Sequence, residues 1–177
     1  MYRKKYGRMT FSAWLNAEME QTSLALAIFC GILLGVACIV VRVVCGGPHR
    51  MILELGISKL VPPAWLMFLA RLVAFLAAGC AAGVVLGYRE RGRVGEKYKG
   101  CMFFVLLAAL ELCWYPTLFI KGLVLLATVE AMAMVFLAVL TTVSFLRVSR
   151  FSGIILIFHT IWVIYLMLLT CAVMFTV

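Results

Sequence analysis

Residues 101–130 read CMFFVLLAALELCWYPTLFIKGLVLLATVE. Two apolar runs meet at Lys121-Gly122, and each carries a single carboxylate well inside it, Glu111 and Glu130. About 20 apolar residues in a helix, rising about 1.5 Å each, cross the ~30 Å hydrocarbon layer of a bilayer. The stretch therefore reads as a hairpin of two membrane-spanning helices turned at a glycine. A charge at the bilayer centre costs about 2.5–3.5 kcal/mol on insertion scales, so such residues face the bundle interior and are paired or functional.

The rest of the chain repeats the pattern. Its 177 residues are 66% hydrophobic, with a mean hydropathy of +1.15, far above a soluble domain. Apolar segments long enough to span lie near 22–44, 63–87, 101–120, 122–146 and 151–176. The breaks are short: Cys45-Gly46-Gly47-Pro48, the basic run from Arg89 to Lys99, Lys121-Gly122, and Arg147-Val-Ser-Arg150. Such loops leave no room for a soluble domain. The expectation is an all-α integral membrane protein, a five-transmembrane-helix bundle over 22–177 behind a basic N-terminal tail, 1–21.

The net charge of +9 is not a nucleic-acid signature, because the basic residues gather at span ends. One face of a five-span topology, carrying the N-terminus and the 88–100 and 147–150 loops, holds about eleven Lys and Arg against about four opposite. The N-terminus is placed on the cytoplasm-equivalent side. The tail has no apolar core or cleavage site of a signal peptide. It reads as a solvated, headgroup-seeking segment, and Glu18 and Glu20 argue against a mitochondrial targeting sequence. The seven cysteines show no CxxC or metal spacing and are expected to act as small apolar residues.

Gly31-x-x-x-Gly35 and Gly79-x-x-x-Gly83 permit close helix approach. Packing within the chain is the default reading and a homodimer seam the alternative. Residues 50–60, with Met51, Ile52 and Leu55 on one face, suit an interfacial helix over the mouth of the bundle.

Depth counting links the charges. From the Lys121 turn, Glu111 and Glu130 both lie about 14 Å into the bilayer. Arg71, counted from Pro62 at the same face, reaches a similar depth, and His159, entering from the other side, falls close to that plane. Arg71 is expected to contact Glu111 or Glu130, with the second carboxylate protonated, paired with His159 or held by a ligand. Two readings stand: a structural pair that ties helices together, or the polar anchors of a pocket. Trp65 suits the interfacial belt, Trp162 the interior, and Pro116 frees backbone groups within its span.

These residues also resemble a family. Pro62-Pro63-Ala64-Trp65 with Phe75 and Gly79, Arg50 upstream, Trp114-Tyr115-Pro116-Thr117-Leu118-Phe119, Glu130, Thr141-Thr142-Val143 and Trp162 follow, in order and spacing, the motifs of the TspO/MBR family. These are the tryptophan-rich sensory proteins and the mitochondrial translocator protein. The resemblance covers about residues 42–175. The chain departs from the family pattern where Arg71 replaces a tryptophan, Glu111 an asparagine, Phe158-His159 a Pro-Tyr pair, Thr170 an asparagine and Leu126 a tryptophan. Ile57-Ser58 stands in place of a Lys-Pro pair.

The resemblance implies a ligand cavity facing the loop between helices one and two. Its implied pocket residues are Ile52, Met67, Phe68, Arg71, Glu111, Trp114, Leu126, Glu130, Trp162, Leu166 and Leu169. It implies binding of a porphyrin, heme precursor or sterol-like apolar ligand by a receptor or transporter, association into a homodimer, and residence in a mitochondrial outer membrane or a bacterial outer membrane. Neither a metal nor a resident cofactor is implied; porphyrin or heme would be a ligand. Aromatic and aliphatic walls with a few polar anchors suit such ligands, and Arg71 suits a propionate. No Lys or Arg follows Arg150, so the C-terminal sterol motif of animal members has no counterpart. A non-enzymatic role is expected. The alternatives are proton-coupled small-molecule export and an intramembrane enzyme acting on porphyrin.

Overall fold

The computed structural model of the chain describes residues 22–45, 62–88 and 94–176. They form five helices: α1 (Leu24–Cys45), α2 (Ala64–Gly87), α3 (Val94–Phe119), α4 (Val124–Val148) and α5 (Arg150–Thr176). All five are long and apolar enough to cross a membrane, and the protein is an all-α integral membrane bundle. The N-terminal tail, the interfacial stretch 50–60 and Ile52 lie outside the described residues.

Helix α3 starts at Val94 rather than near residue 101. Glu96 in its first turn complements the helix dipole there. Lys97 reaches across to donate to the carbonyls of Leu86 (2.6 Å) and Tyr88 (3.3 Å), which satisfies the exposed end of α2. Hydropathy is blind to these polar turns, so it starts the span late. The α3–α4 turn uses Gly122 at φ +63°, a left-handed conformation that glycine adopts without steric cost. Between α4 and α5 a single extended residue, Ser149, breaks the helix. Its Oγ accepts from the Ser152 amide at 3.3 Å, an N-cap that restarts the chain as α5.

The bundle closes as a ring. Helix α1 packs on α2, α2 on α5, α5 on α4 and α4 on α3, while α3 meets α1 and α2 only lightly. In lipid, close van der Waals packing rather than hydrophobic burial joins helices, and small residues permit it. The four glycines of the two G-x-x-x-G pairs, Gly31, Gly35, Gly79 and Gly83, serve this within the chain. A Cβ at Gly79 would lie 2.5 Å from the Cys30 carbonyl oxygen, and one at Gly83 2.5 Å from the Ala27 Cα. Gly31 and Gly35 face Cys80 and Leu76 of α2 in return. On α4 the row Ala127, Ala131, Met134 and Ala138 is fully buried against Leu107, Leu118 and Val163. At the other end Ala81, Val85, Phe104, Phe145 and Leu156 form a second cluster. One buried hydroxyl ties distant helices: Ser152 Oγ donates to the Ala81 carbonyl at 2.7 Å.

Candidate functional site

The light contact of α3 with α1 and α2 leaves a cleft at the end of the bundle where α1 finishes and α2 begins. Cys38 and Arg42 line it from α1, and Met67, Phe68 and Arg71 from α2. Trp114, Tyr115 and Phe119 line it from α3, and Trp162 and Leu166 from α5. The space open inside it is about 20 Å³, room for about one water molecule, so the cleft is nearly filled by its own side chains and is far smaller than a ligand pocket. The half-buried Met67, Phe68 and Phe119 at its edge must turn before a fused ring system enters.

Three of the four ionisable groups placed at one depth come together. Arg71, Glu111 and His159 are 7%, 3% and 1% exposed. The contacts differ from the expected carboxylate–guanidinium pair. Arg71 Nη2 donates to the backbone carbonyl of Glu111 at 3.5 Å, not to its carboxylate. The Arg71 guanidinium lies over the Tyr115 ring at 4.4 Å and the Phe75 ring at 5.4 Å. The Glu111 carboxylate turns instead to His159, with Oε1 3.4 Å from Nε2. That is ion-pair distance, though not aligned as a hydrogen bond. The His159 ring also meets Phe75 edge-on.

Glu130 stands apart from this cluster. Its Oε1 accepts from Thr117 Oγ1 at 3.4 Å, which places it in the α3–α4 seam. It shares the depth of the others but points a different way around its helix. Leu126 does not join the cleft either: it is 48% exposed on the outer surface of α4, because the inward row of that helix runs through Ala127 and Ala131. No α4 residue lines the cleft.

Met67, Phe68, Arg71, Trp114, Trp162 and Leu166 all line the cleft. Glu111 sits behind Arg71, and Leu169 is buried without reaching the lining. Sequence reasoning passed over Cys38, Arg42, Tyr115 and Phe119. Arg42 lies at a span end, where snorkelling to headgroups alone would account for a basic residue, yet it shares a helical face with Cys38, four positions earlier. Its guanidinium stacks on Phe68 at 5.2 Å.

A second, shallow groove runs down the outside of α2 and α5, walled by Leu69, Val73, Phe158, Ile161 and Tyr165. It is apolar and open to lipid. Trp162 borders both this groove and the cleft, so one indole is the partition between the bundle interior and the bilayer side.

Comparison with known proteins places this architecture. The model of the TspO/MBR family matches residues 29–175. No curated protein and no solved structure matches the chain at the same standard.

Proposed function

The chain belongs to the TspO/MBR family, and from that premise we propose that it is a membrane receptor or transporter-like protein that takes a tetrapyrrole, or a comparably flat apolar ligand, into the cleft between α1, α2, α3 and α5. One observation carries the reading: a cleft whose walls are aromatic and aliphatic also holds buried donors with no partner, Trp114 Nε1, Trp162 Nε1 and Arg71 Nε. Buried donors are normally satisfied, so these three call for an acceptor that the protein itself does not supply. Flat rings stack on indole and phenyl faces, and a few hydrogen bonds then fix their orientation. In this reading the protein binds or moves its ligand and does not transform it.

The test is titration of purified protein in nanodiscs with protoporphyrin IX, read from its Soret band. Wild type should saturate. Trp162→Ala, which removes the wall shared with the lipid-facing groove, should weaken binding about tenfold or more, since a buried aromatic contact is worth upwards of about 1.4 kcal/mol. Unchanged affinity in Trp162→Ala would place the ligand elsewhere.

A further inference from the structure

The cleft has no room for a ligand until a wall moves, because its open interior is about 20 Å³. The groove outside α2 and α5 already holds about 460 Å³ of open space, and the Trp162 indole lines both. Trp162 lies about 18 Å along α5 from Arg150, so this partition stands near the middle of a ~30 Å hydrocarbon layer. Nothing directional fixes the indole. Its Nε1 has no hydrogen-bond partner. On the groove side it makes a tilted stack on the Tyr165 ring at 5.4 Å, and the Tyr165 hydroxyl is unpartnered as well. Across the groove, α2 contributes the small side chains of Ala70, Ala74 and Ala77, which leave space for a turned ring. The mouth of the cleft is less suited to an apolar molecule. The Arg42 guanidinium is stacked on Phe68 there, and a charge at a span end seeks water or headgroups. Among the described residues the groove has no charged lining residue, and an apolar molecule concentrates in hydrocarbon rather than in water.

We infer that the α2–α5 groove is the entrance to the cleft: the ligand arrives dissolved in the bilayer, settles in the groove, and passes inward when the Trp162 indole turns aside. The inference rests on the reading that the cleft binds a flat apolar ligand, and it adds the route and the residue that controls it. Once inside, the ligand has left the groove behind. The outer groove residues therefore set how fast ligand exchanges and not how tightly it is held.

The experiment narrows the groove from each wall, with Val73→Trp on α2 and, independently, Ile161→Trp on α5. Both residues are more than half exposed and line the groove without lining the cleft, so the added ring lies in lipid and both variants are expected to fold. Val129→Trp, on the exposed face of α4, is the control. In liposomes, stopped flow follows protoporphyrin IX uptake through its Soret band, and excess empty liposomes then draw the ligand off. Association and dissociation should both slow at least about tenfold in one or both groove variants, the kinetic equivalent of an overpacked passage. Their ratio, the dissociation constant, should stay within about twofold of wild type. Wild-type rates in both groove variants would overturn the inference and leave binding standing, with the mouth as the route. Equal slowing in Val129→Trp would also overturn it, and so would a weaker dissociation constant at an unchanged association rate, since the groove would then be a wall of the bound state. Absence of saturable binding to wild type would remove the entrance and the binding reading together.

Discussion

Replacing Gly79 with alanine adds one methyl group where no side chain can yield. The new Cβ would lie 2.5 Å from the Cys30 carbonyl oxygen, 2.8 Å from the Gly31 Cα and 2.9 Å from the Cys30 carbonyl carbon. All three are backbone atoms of α1, so relief requires the whole helix to retreat from α2. Ordinary contact begins near 3.4 Å, and the retreat is about 0.9 Å. A gap of about 0.5–1 Å forfeits a quarter to a half of each dispersion contact across the seam. In a bilayer that dispersion is the main attraction between helices. The expected loss is about 1–3 kcal/mol, the usual range for overpacking. The assay is SDS titration of the purified protein in mixed micelles, followed by tryptophan fluorescence, with Gly95→Ala as the control because nothing lies within 4 Å of its Cβ. Arg42 and Cys38 ride on α1, so ligand affinity should fall with stability. A Gly79→Ala protein within about 0.5 kcal/mol of wild type would refute the close α1–α2 seam and the cleft geometry that depends on it.

In a double-mutant cycle, Glu111→Gln and His159→Asn should show coupling of about 1 kcal/mol or more, because removing one partner strands the other in the bundle; SDS unfolding reads it, and additive effects would dissolve the pair. Ser152→Ala should cost about 0.6 kcal/mol and no more than about 1.7, the average and the largest value found for interhelical hydrogen bonds by double-mutant cycles in a membrane bundle, and faster amide exchange confined to the ends of α2 and α5 near Ala81 and Ser152 would mark the lost bond; a neutral result would mean that water or lipid replaces the hydroxyl.

Most of the architecture could be read from the chain because bilayer thickness converts apolar length into helix count, and among the described residues Gly122 marks the one turn with a positive φ. Depth was legible too: the 1.5 Å rise per residue placed Arg71, Glu111 and His159 at one level, and they meet there. Direction around the helix axis was not. Helix α4 is apolar on nearly every side, so no periodic contrast showed that Ala127 and Ala131 face inward while Leu126 faces lipid and Glu130 turns to Thr117. Arg42 was hidden by the same ambiguity. An arginine at the end of a span can snorkel to headgroups or lean over a cleft, and only the stacking on Phe68 separates the two.

The geometry of the Arg71–Glu111–His159 cluster bears on the two roles that the buried charges suggested. A cluster built to clamp helices would use the strongest available pairing, a two-pronged guanidinium–carboxylate contact. The chain holds both groups within reach and does not make that contact. Glu111 spends its carboxylate on His159, while Arg71 is kept buried by weaker means: two aromatic faces, each contributing about 0.5–2 kcal/mol, and one carbonyl at 3.5 Å. Those terms together are of the same order as the about 2.5–3.5 kcal/mol that a central arginine costs on insertion scales. Arg71 can therefore stay buried at depth without a partner acid. His159 matters to this balance even though it does not line the cleft. Were it unable to hold Glu111, the carboxylate would be free to swing to Arg71, and the cleft would lose its inner cation without losing a single lining residue.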